Sequence, residues 1–186
     1  MANPLERQRV LELYASLVDY PTPGLCQAAE ECAALVSQAS AGAAAALRDY
    51  AAFARGTNLG RLEEIYTGAF ELDATYYPYV GYHLFGETYK RSLFLLGLKE
   101  RYAAFRFTHG SELADHVAVM LRFCARCPDA DVAGEIVREA LLPALGKMTK
   151  PKPDDGSTPA SHDGQRGGAY EQLLLALAPT LESLYF

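Results

Sequence analysis

No apolar run in this sequence approaches the roughly 18 residues that a membrane-crossing helix requires. No block of lysine or arginine occurs either, and the formal net charge of 186 residues is −6. Nucleic acid and anionic membranes both demand a basic footprint, so neither is expected as the main partner; a cationic, arginine-bearing peptide is compatible. The N-terminus, Met1 to Arg7, becomes charged at once and has no apolar stretch of secretory type. A cytoplasmic home without stable membrane insertion follows as the expectation. Strand-like alternation and internal repeats are missing. So are a phosphate-cradling glycine loop ahead of a lysine, a dinucleotide-binding glycine pattern and a nucleophile elbow. Cysteine is scarce, at four residues. Cys124 and Cys127 have the spacing of half a zinc site, but no second such pair or histidine pair accompanies them, and they continue a helical pattern. They read as two small helical side chains.

What is present is helical periodicity, which predicts an all-α, single-domain bundle of about seven to eight helices spanning residues 1–186. Asn3-Pro4 caps and starts the first helix, and Tyr20-Pro21-Thr22-Pro23-Gly24 stops it. A second helix is expected from about Leu25 to Gln38 and a third from about Ala43 to Arg55. A fourth, past Asn58, carries Leu59, Leu62, Ile65, Tyr66 and Phe70 in phase. Residues 73–86 break the pattern with proline, glycine and four of the twelve tyrosines. By pattern alone that tyrosine cluster is core first and binding surface second. A fifth helix is expected from about Glu87 to Ala104. The sixth is expected after a Ser111 cap, with Leu113, His116, Val117, Met120, Leu121 and Cys124 as its apolar stripe and Glu112 and Asp115 in its first turn, where the helix dipole favours acids. A seventh runs from about Asp131 to Gly146, bent or ended by Pro143. Residues 149–168 shift to Pro, Gly, Asp and Ser and are expected to form a mobile loop. The last helix, about Ala169 to Tyr185, carries Tyr170, Leu173, Leu174, Leu177 and Leu181.

Candidate chemistry is confined to the middle third. His83 and Glu87 lie four apart, and with His116 they compose a two-histidine, one-carboxylate set that a metal-dependent enzyme would use. The bland alternative is a solvated or core-capping role for each, and a lone histidine on an apolar stripe is more often a satisfied core residue.

Three segments then resemble a known family. The run Tyr66-Thr-Gly-Ala-Phe70-Glu71-Leu72-Asp73, the run His83-Leu84-Phe85-Gly86-Glu87 and the run Glu112-Leu113-Ala114-Asp115-His116 are similar to the redox-enzyme maturation chaperones. These include the nitrate reductase delta protein and its dimethyl sulfoxide and trimethylamine N-oxide reductase counterparts. Leu13 to Pro21 resembles the opening helix and its Tyr-Pro ending, so the likeness spans about residues 8–127. The resemblance implies a cytoplasmic all-helical protein with no catalysis and no cofactor of its own, monomeric or homodimeric. Its partner would be the catalytic subunit of a molybdopterin oxidoreductase of the dimethyl sulfoxide reductase type, bound through an N-terminal, often twin-arginine, leader until cofactor is inserted. A structural subunit of an oxidoreductase complex is the other alternative. The implied leader-binding residues are Tyr66, Phe70, Pro78, Tyr79, His83, Glu87, Glu112, Asp115 and His116, with the acids complementing the leader's arginines. The family usually has proline where this chain has Ala114, which should soften the helix start at Asp115.

Overall fold

Each helix begins where a side chain can satisfy its first free backbone N–H groups. In the computed structural model, which describes residues 3–72, 74–150 and 166–186, Asn3 Oδ1 accepts the Leu5 N–H and Pro4 occupies the first turn of α1 (Pro4–Leu17). Gly24, at φ +99°, redirects the chain into α2 (Leu25–Val36), a left-handed backbone that glycine adopts without a Cβ clash. Ser40 caps α3 (Ala41–Arg55) by accepting from Ala43, and Asn58 caps α4 (Leu59–Phe70) by accepting from Arg61.

The expected all-α bundle is there, with no strand among the described residues. α5 (Val80–Phe85) and α6 (Tyr89–Ala104) form a hairpin turned by Gly86 at φ +63°. α7 (Val117–Arg126) follows, then α8 (Ala130–Ile136), a π-helical turn (Val137–Leu141) and α9 (Leu142–Met148) run on as one rod. α10 (Arg166–Tyr185) closes the bundle. Counting that rod once, the described residues hold nine helices. α1 packs between α2 and α7, and α10 lies against α3, α4 and α9. The apolar stripe expected for the last helix is fully buried: Tyr170, Leu173, Leu174, Leu177 and Leu181 are all inaccessible. Tyr14 Oη and Thr180 Oγ1 meet at 3.1 Å in the core, tying α1 to α10.

Several expected boundaries move. Residues 73–86 are not wholly irregular, because α5 forms inside them. The expected fifth helix starts at Tyr89 rather than near Glu87. The rod through residues 130–148 is neither ended nor broken at Pro143. The π-helical turn just before it widens the backbone, and Leu142 N–H reaches Val137 C=O. A widened turn takes up the missing donor and ring of a proline that would clash in a regular α-helix.

The largest correction concerns the sixth expected helix. It begins at Val117, not near Glu112, and His116 rather than Ser111 is its cap. The backbone of residues 113–117 is committed elsewhere. Val80 N–H donates to Asp115 C=O at 2.8 Å and Val117 N–H to Pro78 C=O at 2.9 Å, with Tyr79 and His116 paired as an isolated antiparallel bridge. Glu112 and Asp115 are therefore outside any helical turn, and Leu113 is exposed rather than in the stripe. The expected mobile loop at 149–168 lies largely outside the described residues, and its last three residues open α10.

All four cysteines are free thiols. Cys124 is buried within α7 and Cys127 caps its C-terminus, and burial pushes both thiols up. Neither has the lowered pKa of a redox or metal-binding thiolate.

Leu177 fills the contact between α10 and the rest of the core. Leu177→Ala is expected to lower unfolding free energy by about 2–5 kcal/mol in urea titration, the usual cost of a leucine-sized core cavity.

Candidate functional site

The pairing of residues 78–80 with 115–117 fixes the site, because it holds the Asp115-His116 pair against the tyrosine-rich segment by main chain alone. The carboxylate of Asp115 is completely buried. A buried carboxylate needs a cation and hydrogen bonds to offset lost hydration, and Arg91, from the first turn of α6, supplies both. Its Nε donates to Asp115 Oδ2 at 3.0 Å, and Nη2 lies 3.5 Å from Oδ1. The guanidinium also lies 5.4 Å from the Tyr79 ring centroid, a cation–π contact. Only a glycine fits above this pair. A Cβ on Gly81 would stand 2.8 Å from Asp115 Oδ2, 2.9 Å from Phe94 Cδ1 and 3.1 Å from Arg91 Cγ.

His116 is buried and accepts the Ala118 N–H at Nδ1, which places the proton of its neutral form on Nε2. Burial is the main influence on this imidazole and pulls its pKa below the usual value. Glu112, Asp19 and Asp115 oppose that pull, and Arg122 adds to it. Arg122 is itself held by Asp19 at 2.5 Å. Tyr79 lies edge-on to His116, with ring centroids 5.6 Å apart, and its hydroxyl donates to Glu112 Oε1 at 3.1 Å. Burial first, and the Glu112 charge second, push this hydroxyl up to about 12, so it remains a donor at neutral pH. Ala114 does not soften a helix start, because no helix starts there. It is buried, and its carbonyl accepts the Tyr102 hydroxyl at 2.8 Å.

The nine expected site residues separate by depth. Tyr66 and Phe70 are core, packed on each other and edge-on to Tyr170, with Tyr20 covering Tyr66 toward the surface. Pro78, Asp115 and His116 are buried beneath the site. Tyr79 and His83 are half-buried, and Glu87 and Glu112 are exposed. His83 Nε2 lies 2.7 Å from the Tyr77 carbonyl, inside a half-buried patch of Tyr77, Tyr79 and Tyr82. Tyr76, by contrast, is core, so the tyrosine cluster divides between core and surface. The metal alternative required His83, Glu87 and His116 to converge. Among the described residues, no three His, Cys, Asp or Glu side chains are placed to hold an ion.

A groove of about 300 Å³ opens beside this site, lined by Leu84 and Phe85 of α5, Phe94 and Leu98 of α6, and Ile136 and Ala140 of the α8 rod. Glu139 stands at its edge, and Arg101 and Glu135 pair across it at 2.6 Å. Phe94 belongs to both places: it packs on Phe85 inside the groove and closes over Gly81 beside the ion pair. One turn before Gly97 on the groove wall, α6 presents Leu93 to solvent, and Leu96 is likewise about half-exposed. The π-helical turn supplies Glu139 and Ala140 to the groove, and such turns often mark functional positions.

Sequence reasoning missed Arg91, Gly81, Phe94 and Glu139. Gly81 sits inside the tyrosine-rich stretch 73–86, where glycine was noted only as breaking the helical pattern, and the bend expected at Pro143 was a faint sign of the π-turn. Nothing in the spacing of Arg91 distinguishes it from any solvated helical arginine.

Residues 34–148 match the family model described as nitrate reductase delta subunit. That span is more than half of the chain and contains all nine expected site residues, Arg91 and the whole groove lining. A comparison with curated proteins matches none to this chain.

Gly81→Ala is expected to destabilise the fold by about 1–3 kcal/mol, the cost of overpacking, measured by denaturant unfolding. His116 gives a pH signature. Its folded pKa lies below the unfolded value of about 6.5, so the unfolded chain takes up a proton first on acidification. Its share of stability is complete above about pH 6.5 and declines as pH falls below that. His116→Asn keeps a capping side chain and removes the titration, so the stability–pH curve should flatten below about pH 6.5.

Proposed function

The chain belongs to the nitrate reductase delta subunit family, which implies a chaperone of molybdoenzyme assembly, and from that premise we propose that it holds the N-terminal leader of its client. The client is the catalytic subunit of a molybdopterin oxidoreductase of the dimethyl sulfoxide reductase type, and the leader is a twin-arginine or remnant segment. The leader is held in the cytoplasm until cofactor insertion is complete, and the chaperone performs no covalent step itself. No described helix is long and apolar enough to cross a membrane.

The observation that carries this reading is an apolar groove with a carboxylate edge, joined through Phe94 to a buried arginine–carboxylate cradle. A leader combines arginines with an apolar stretch, and each half has a counterpart here. The apolar part fits the Phe85–Phe94–Leu98 surface and its extension over Leu93 and Leu96, in the manner of a helix laid in a groove. An exposed apolar area next to a groove is a common mark of such docking. Glu139 and Glu112, both exposed, offer carboxylates to the arginines at the edge of the site. Asp115, His116, Tyr66 and Phe70 act from beneath, by fixing the shape that the surface residues present. Asp115 is closed to a second cation while Arg91 holds it.

The test is calorimetric titration with a synthetic peptide carrying an Arg-Arg pair followed by a leucine-rich stretch. Phe85→Ser with Glu139→Lys should weaken binding by at least about tenfold, equivalent to about 1.4 kcal/mol, with the helical circular dichroism unchanged. Equal affinity in the variant would remove the groove from this account.

A further inference from the structure

We propose that Arg91 is an intramolecular stand-in for the client's arginine, occupying Asp115 in the free protein and yielding it when a client guanidinium arrives. This rests on the leader-binding reading above and adds a regulated step to it. The cradle around Asp115 is built for a guanidinium: a carboxylate floor, the Tyr79 ring at cation–π distance, and a roof thinned to glycine at residue 81. Most of these walls are independent of Arg91. Asp115 and Tyr79 are held by the main-chain bonds between residues 78–80 and 115–117, and Tyr79 is held further by Glu112. The cradle therefore keeps its shape when Arg91 leaves.

Arg91 is positioned to leave. It stands on the first turn of α6 with its side chain 18% exposed, while Asp115 beneath it is wholly inaccessible. One of its two contacts is tight at 3.0 Å and the other is stretched to 3.5 Å, short of the paired fork that arginine and carboxylate form at best. Removing Arg91 alone strands a buried charge, which is strongly unfavourable. Exchanging it for another guanidinium leaves no charge unpaired. An ammonium lacks the planar fork and restores less. The latch therefore selects arginine over lysine, and it keeps the cradle shut until such a group is presented by a segment that the adjoining groove also accepts.

Two measurements test this. In calorimetry with the Arg-Arg peptide, Arg91→Met should bind at least about tenfold tighter than the unmodified protein, as expected if the competent state is open no more than about a tenth of the time. The gain should be much smaller for the Lys-Lys counterpart and absent in Arg91→Met with Asp115→Asn. In the unmodified protein, the Arg91 Nε–H resonance, assigned by comparison with Arg91→Lys, should be protected from exchange and lose that protection as the Arg-Arg peptide saturates. If the unmodified protein binds the peptide but Arg91→Met shows no gain, or the Arg91 resonance stays protected at saturation, the latch is wrong and the leader reading stands. If the unmodified protein does not bind the peptide, the leader reading fails and the latch falls with it.

Discussion

Two main-chain hydrogen bonds, Val80 to Asp115 and Val117 to Pro78, pin the middle of this chain together. They join segments more than thirty residues apart in an otherwise helical protein. Because of them, residues 113–116 stay out of the helix that their sequence would start, and Asp115 turns inward. A carboxylate turned inward must be neutralised, which draws Arg91 across from α6 and requires glycine at 81 to leave room. The cation then stacks on Tyr79, and Tyr79 reaches Glu112. Each of these contacts follows from the backbone pairing.

The rest of the fold supports that pairing from below. Tyr66 and Phe70 are buried. They build, with Tyr50 and Tyr170, an aromatic core joining α3, α4 and α10. Tyr102 reaches from α6 to the Ala114 carbonyl and packs on Phe107 and Phe123, so the strand-like segment rests on a second aromatic cluster. Tyrosine suits position 102 because its ring packs as core while its hydroxyl satisfies the buried Ala114 carbonyl. The resemblance that associates such positions with leader binding is compatible with this arrangement if they act by shaping the surface above them.

Much of the architecture was legible in the sequence. Helix starts at Asn3 and Asn58 follow from local capping chemistry, and the α10 stripe follows from periodicity, so neither depends on distant residues. The start of α7 was not legible. An apolar stripe through Leu113 and His116 fits a helix as long as no other segment claims those backbone groups, and the claim comes from residues 78–80. Arg91 and Phe94 were missed for the same reason. Their importance comes from what α5 and residues 115–117 place beside them, which no local pattern encodes. The site's acidic-histidine motif was recognised, but its depth was not: Asp115 is wholly buried and, in the chain by itself, pairs with Arg91.

The result is a helical protein of a chaperone family in which an apolar groove, exposed carboxylates and a buried arginine–carboxylate pair adjoin one another. The central claim is that this protein prepares a molybdenum enzyme, and it is tested most directly on the client. The cognate catalytic subunit should be produced with and without this chain, and its molybdopterin content measured per polypeptide. Subunit made without the chain should be largely empty of cofactor, and supplying the chain should restore loading. Equal loading in both preparations would contradict the account.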